Sequence, residues 1–248
     1  MKRSYYFSLF LTLYLLMGTA WASSIPSPPS INKVIALSAG PAWYHAGRTE
    51  TIWLQPDFAN TYDAFSPQKV LTSGELFLGL QKSFSNLDFM QLGLALAASG
   101  DAKLQGEIWE TADPLFNNFS YQYKIFHKHL ALKGKYLFNR WSSTLLPYVS
   151  ASLGVALNKS YHFSMTPLIF EALPVPGFQS HQETAFTYTV GTGVQKILDV
   201  HWQLGLGYEF SDWGQSSLSR APGQTINSGL SLSHLNTQEL QVTLNYLF

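Results

Sequence analysis

Glu239-Leu240-Gln241-Val242-Thr243-Leu244-Asn245-Tyr246-Leu247-Phe248, at the C-terminus, is the stretch on which the fold turns. Leu240, Val242, Leu244, Tyr246 and Phe248 share one parity, and Glu239, Gln241, Thr243 and Asn245 share the other. A strand sends successive side chains to opposite faces, so one face here is oily as far as the last residue. Chain ends fray unless tied down, and an apolar strand at a chain end needs a neighbour on each side. The pattern therefore predicts the closing strand of a barrel, in water or in lipid.

Working back from it, the same alternation recurs. Lys33 to Tyr44 sets Ile35, Leu37, Ala39 and Trp43 against Val34, Ala36, Ser38 and Gly40. A long polar, Pro-containing stretch follows from His45 to about Val70. Leu71 to Lys82 and the run Met90 to Ala97 form the next two strands, with a tight connection at Ser83 to Asn86 between them. Alternation resumes at Leu104 to Trp109, turns around Asp113-Pro114 and Asn117-Asn118, and returns from Phe119 to Phe138. This middle pair is longer than a bilayer requires and is expected to protrude. Tyr148 to Leu157, Glu183 to Lys196 and His201 to Phe210 supply three more strands. Tyr161 to Gln182 and Asp212 to Leu235 read as loops. Eight strands result, and their connections alternate broadly between long and short, as external loops and periplasmic turns do in outer-membrane barrels.

Residues 1 to 22 carry Lys2 and Arg3, an apolar run from Phe7 to Met17, and Ala20-Trp21-Ala22. That is an export signal, with cleavage expected after Ala22. Ser23 to Asn32 is a Pro- and Ser-rich leader, and residues 33 to 248 form the barrel. There is no Cys, so disulfides are excluded. Charged residues make up 12% and aromatics 15%, a poor coat for a water-soluble protein. No basic field exists to recruit nucleic acid. After the signal no window is long and apolar enough for a spanning helix, which leaves a closed barrel as the route across lipid.

Two features turn the oily face outward, toward lipid. The opposite parity is rich in glycine (Gly40, Gly79, Gly93, Gly154, Gly191, Gly193, Gly205, Gly207), which suits the crowded interior of eight strands. Charges also fall on that parity: Glu75, Lys133, Lys135, Glu209 and Glu239. A Lys facing lipid at mid-bilayer costs ~2–4 kcal/mol. Trp43, Tyr136, Phe138, Trp202 and Phe210 lie toward strand ends, where an aromatic girdle belongs. The fold class is thus an all-β, eight-stranded antiparallel up-and-down transmembrane barrel.

From about Lys33 to Phe248 the chain resembles the small eight-stranded outer-membrane barrels, such as the outer membrane protein A barrel and the opacity proteins. The resemblance rests on the signal, the strand and loop alternation, and the ending Gln241 to Phe248. It implies an outer-membrane location in a Gram-negative envelope, with lipid and lipopolysaccharide around the barrel. It also implies that Leu240, Val242, Leu244, Tyr246 and Phe248 signal to the barrel assembly machinery. The external loops are the expected contact with host or surface ligands, in a non-enzymatic, structural or adhesin-like role.

The inward charges are expected to plug the lumen as a salt-bridge network, because a buried charge needs a partner. The rival is a narrow conduit for small solutes lined by Gln91, Gln203 and Gln241. His162-Phe163-Ser164 and Ser231-Leu232-Ser233-His234 could supply a nucleophile and a base to a lipid-modifying enzyme. The first lacks the Asn that usually follows in lipid A deacylases, so no catalytic residues are assigned. His127 and His129 have a spacing compatible with a metal on one strand face, yet no third ligand is evident nearby. No metal and no cofactor are expected.

Overall fold

The computed structural model describes residues 31–83, 88–139, 144–173 and 177–248. The export signal, most of the leader and most of the turn at Ser83 to Asn86 lie outside the described residues. In chain order the strands are β1 (Ile31–Tyr44), β2 (Glu50–Gln55), β3 (Phe58–Phe65), β4 (Lys69–Ser83), β5 (Asp88–Ser99), β6 (Ala102–Trp109) and β7 (Asn117–Phe138). They continue with β8 (Leu145–Pro167), β9 (His181–Ile197), β10 (Trp202–Asp212), β11 (Ser216–Ser217), β12 (Ser231–Leu232) and β13 (Asn236–Leu247).

Eight of these close a ring in the order β1-β4-β5-β7-β8-β9-β10-β13 and back to β1, every pair antiparallel. Closure reaches the final residue. Lys33 N donates to Phe248 O at 2.8 Å, and Phe248 N donates to Lys33 O at 3.0 Å. No edge is left for another chain to extend there, which is the condition for strands to live in lipid.

The faces sort by parity. Leu37, Leu78, Leu80, Leu92, Leu94, Leu132, Leu153, Val190, Leu204, Leu206, Val242 and Leu244 all point outward and are exposed, forming an apolar belt around the ring. A contiguous apolar surface of this extent has no aqueous explanation, so the belt is the lipid face. The inward face holds Ser38, Gln91, Ser150, Ser152, Thr189, Gln195, Thr243 and Asn245, all buried. Gly193 and Gly207 face each other across β9 and β10. A Cβ at Gly207 would fall 2.1 Å from the Tyr148 hydroxyl, and one at Gly193 would fall 2.7 Å from Tyr148 Cζ. The missing side chains are the space that the Tyr148 ring fills.

At the loop end, β7 is shared by two shorter strands. Its lower part pairs with β5 and its upper part with β6, so β6 takes over from β5 along the same edge. β3 adds to β6 and β2 adds to β3. An external platform of β2, β3, β6, β7 and β8 therefore rises from one side of the barrel.

Three expectations need correction. The stretch from His45 to Val70 contains a hairpin, β2 and β3, because Ile52, Ala59 and Tyr62 bury into the platform core. Tyr161 to Gln182 is not all loop: β8 runs on to Pro167 and β9 begins at His181. The leader ends before Ile31, since Ile31 and Asn32 already pair with Lys82 and Gln81.

Candidate functional site

The lumen is packed in layers. At mid-height Lys133 Nζ sits 2.7 Å from Glu75 Oε1 and 2.7 Å from Glu209 Oε1. Gln241 Nε2 donates to the second oxygen of Glu209 at 2.9 Å. β4, β7 and β10 place these side chains because each residue lies on the inward parity of its strand. One ammonium thus bridges two carboxylates, and all three are buried.

The other two inward charges stand apart from this bridge. Lys135 lies one inward position toward the turn end, with its Nζ 4.6 Å from the centre of the Tyr148 ring. Glu239 lies toward the loop end, beside Ser73, His127, His129 and Trp213. Voids on the two sides of the bridge hold about 10 Å³ and 20 Å³. A water needs roughly 10–15 Å³, so each has room for about one.

The turn end is filled by Leu137, Leu146 and Tyr148, with Phe89 and Ile197 against them. The mouth at the loop end is closed by a larger apolar core. Tyr44, Leu71 and Ile125 of the barrel meet Tyr62, Tyr121 and Tyr123 of the platform, and Trp213, Leu218, Leu230 and Leu235 of the last loop cover them. Tyr62 packs edge-on to Tyr121 at 5.5 Å and lies 5.2 Å from Phe178. Burial raises the Tyr62 phenol above its ordinary value, so this layer stays neutral.

Trp213 also settles where the paired histidines stand. Its ring stacks on His127 at 4.2 Å with an interplanar angle of 4°. His127 Nδ1 lies 2.7 Å from Asn158 Oδ1, and its Nε2 lies 2.8 Å from His129 Nδ1. The two rings bond to each other instead of converging on a common point, and among the described residues no group of three His, Cys, Asp or Glu could hold a metal. Ser231 Oγ turns to Glu50 at 3.1 Å and 3.2 Å, while His234 Nδ1 lies 2.7 Å from Asp212. The serine and the histidine thus serve different acids. His162 occupies a bulge with φ 55°, and Ser164 pairs in register with Gln122.

The aromatic positions divide between the two ends. Tyr136 and Phe138 meet edge-on at 4.9 Å, and Trp202 lies 4.8 Å from Tyr246, which lies 5.8 Å from Phe248. All five belong to the turn end, whereas Trp43 and Phe210 mark the loop end. Leu240, Val242 and Leu244 lie on the lipid face between them.

Sequence reasoning did not find the platform tip. There Leu115, Phe170 and Leu173 are 89%, 99% and 82% exposed, and Phe116, Leu168 and Ile169 are exposed beside them. The tip is built, not loose. Asp113 Oδ1 accepts from Leu115 N at 2.9 Å, and Leu168 N donates to Asn118 O at 2.8 Å. The signal was present in Pro114-Leu115-Phe116 and Leu168-Ile169-Phe170, apolar runs inside a segment otherwise marked by turn residues.

No family model matches the chain, and no curated protein matches it. Among solved structures it is similar to Neisserial surface protein A, at 13% identity and TM-score 0.44, over 89% of this chain and 98% of that one. The outer membrane protein OprG from Pseudomonas aeruginosa gives 14% and 0.47, over 87% and 95%. The outer membrane protease OmpT from Escherichia coli gives 10% and 0.40, over 92% and 99%. At these identities and TM-scores no activity follows from the likenesses.

Proposed function

We propose that the protein is a non-enzymatic outer-membrane barrel that presents its platform for contact with a host or other external surface. The carrying observation is the apolar tip. Asn118 lies about 30 Å along β7 from Lys128, at ~3.3 Å per residue, so the tip stands well clear of the lipid belt. Large apolar side chains displayed on hydrogen-bonded backbone far from lipid cost solubility and suit a binding surface. The filled lumen favours this reading over a solute conduit. In the same reading residues 1 to 22 direct export and are removed after Ala22, and the terminal strand addresses the assembly machinery.

The test is adhesion of cells displaying the protein to cultured host cells and to immobilised extracellular-matrix proteins. Replacing Leu115, Phe116, Phe170 and Leu173 together by Ser should lower adhesion several-fold at equal surface level. Unchanged adhesion in every such assay would refute the role of the tip.

A further inference from the structure

Lysines crowd one outer wall of the barrel just above the apolar belt. On the outward parity of β7 the apolar side chains Leu132 and Leu130 give way to Lys128, Phe126 and Lys124 in turn. Lys159 of β8 pairs in register with Phe126, and Lys103 of β6 pairs directly with Lys124. Lys69 adds a fifth ammonium, its Nζ 3.0 Å from the Lys103 carbonyl oxygen.

Among the described residues Asp101 is the carboxylate in ion-pair contact with this group, 3.1 Å from Lys124. Further up the same face, Asp63 and Glu107 are engaged with Thr49 and Asn117. Like charges directly opposite on neighbouring strands destabilise a sheet, and Asp101 meets the Lys124 member of the Lys103–Lys124 pair. An open cleft of about 440 Å³ lies between these two lysines and the segment His162 to Ser164. At the loop ends of β1, β10 and β13 the outward positions are instead Trp43, Phe210 and Gln238.

Level with Lys128, the lipid face has a trough. Ala39, Gly74, Ala98, Lys128 and Leu157 fall in one row across five strands. The small residues make its floor, Leu76, Leu96, Leu130 and Val155 form the adjoining row toward the turn end, and Lys128 borders it in the same row as the floor, with a volume of about 790 Å³. A trough lined mostly by apolar side chains and bordered by the Lys128 ammonium has the polarity of a lipid, not of a soluble anion.

We propose that this wall binds one phosphorylated lipid of the surrounding leaflet, with an acyl chain in the Ala39–Gly74–Ala98 trough and a phosphate among Lys103, Lys124, Lys128 and Lys159. The site rests on the placement of the barrel in lipid and is independent of the adhesive role of the tip. Full-length folded protein would be incubated with lipid A, with the same lipid stripped of its phosphates, or with inorganic phosphate. Retained lipid would be counted by native mass spectrometry after detergent exchange.

Lys103, Lys128 and Lys159 are exposed, so Gln at all three should leave the barrel folded, as heat-modifiable gel mobility would verify. That variant should lower lipid A retention by about tenfold or more, from the usual contribution of lysines to anionic lipid binding. A Cβ at Gly74 meets nothing nearer than the Ser38 carbonyl oxygen at 3.6 Å, so Gly74→Leu can fill the trough with the lysines intact. It should also lower retention. Lys33, Lys82 and Lys196, at the other end of the barrel, changed together to Gln should not. Equal retention of the dephosphorylated lipid overturns the proposal, as does equal retention by the lysine variant. An unaffected Gly74→Leu variant removes the acyl half and refutes the site as stated. Complete displacement of lipid A by inorganic phosphate would show a free-anion site in its place.

Discussion

Lys133→Met tests the lumen most directly. The side chain reaches two carboxylates at 2.7 Å each, and Lys133, Glu75 and Glu209 are 4%, 9% and 5% exposed at their side chains. Met replaces the stem but not the charge, leaving two buried carboxylates that face each other without their bridge. Removing one partner of a buried pair typically costs ~3–5 kcal/mol, because the charge left behind is uncompensated. At ~1.4 kcal/mol per tenfold, the folding constant should fall by roughly two to four orders of magnitude. The assay is urea unfolding in lipid vesicles, followed by tryptophan fluorescence and gel mobility, with planar-bilayer conductance in parallel. Lys82→Met, at the turn end and outside the cluster, is the control and should change little. Adding Glu75→Gln and Glu209→Gln to Lys133→Met should recover much of the loss, since a neutral triad has no uncompensated charge, and the combined variants measure each coupling. If Lys133→Met altered neither unfolding nor conductance, the charge cluster would neither hold the barrel nor close it.

Three further outcomes are expected. Deleting Phe248, or changing it to Asp, removes or charges the residue that exchanges two backbone hydrogen bonds with Lys33, and should lower outer-membrane yield more than loss of a loop residue, as quantitative blotting would show. An epitope tag at Gly223, where an added side chain meets nothing within 4 Å, should be reached by antibody on intact cells, whereas one at Ser83 to Asn86 should not; the reverse pattern would invert the topology. The Tyr161 hydroxyl, donating at 2.6 Å, and the Lys124 ammonium hold the Asp101 carboxyl below its ordinary range. A lowered folded pKa gives stability that is present above the unfolded value of about 3.9 and is lost as pH falls through the folded one. The group is partly exposed, so the effect is local: protection from hydrogen exchange at β6, taken relative to the intrinsic rate at each pH, should fall in acid, and Asp101→Asn should show that lower protection at neutral pH.

The ring was legible because lipid enforces strict alternation, and every barrel strand has it. The platform was not, since above the belt both faces are wet or mixed and the parity signal weakens. At His162 the bulge also flips it: Tyr161 faces out, while Phe163 joins the core side with Met165. A strict period-two reading breaks there, and the strand reads as loop. The triad of Glu75, Lys133 and Glu209 could be shortlisted from parity, but which charges meet depends on strand stagger around the ring, which leaves Lys135 to Tyr148 and Glu239 to the mouth. Trp213 on His127 was out of reach, because nothing local says where a long loop folds back.

The sharing of β7 and β8 by barrel and platform has a mechanical consequence. The pair runs in register from Phe119 and Pro167 near the tip to Leu137 and Tyr148 at the far end, with one irregularity between Gln122 and Lys124. A pull on the tip is carried along the strands, parallel to both and perpendicular to their hydrogen bonds. Such a load shears many bonds at once instead of unzipping them singly. The lower halves of both strands are also flanked by β5 and β9 inside a closed ring, which cannot open outward without exposing backbone to lipid. Whatever grips the tip is therefore tethered to the bilayer through continuous polypeptide, with no hinge of loop residues in the line of force.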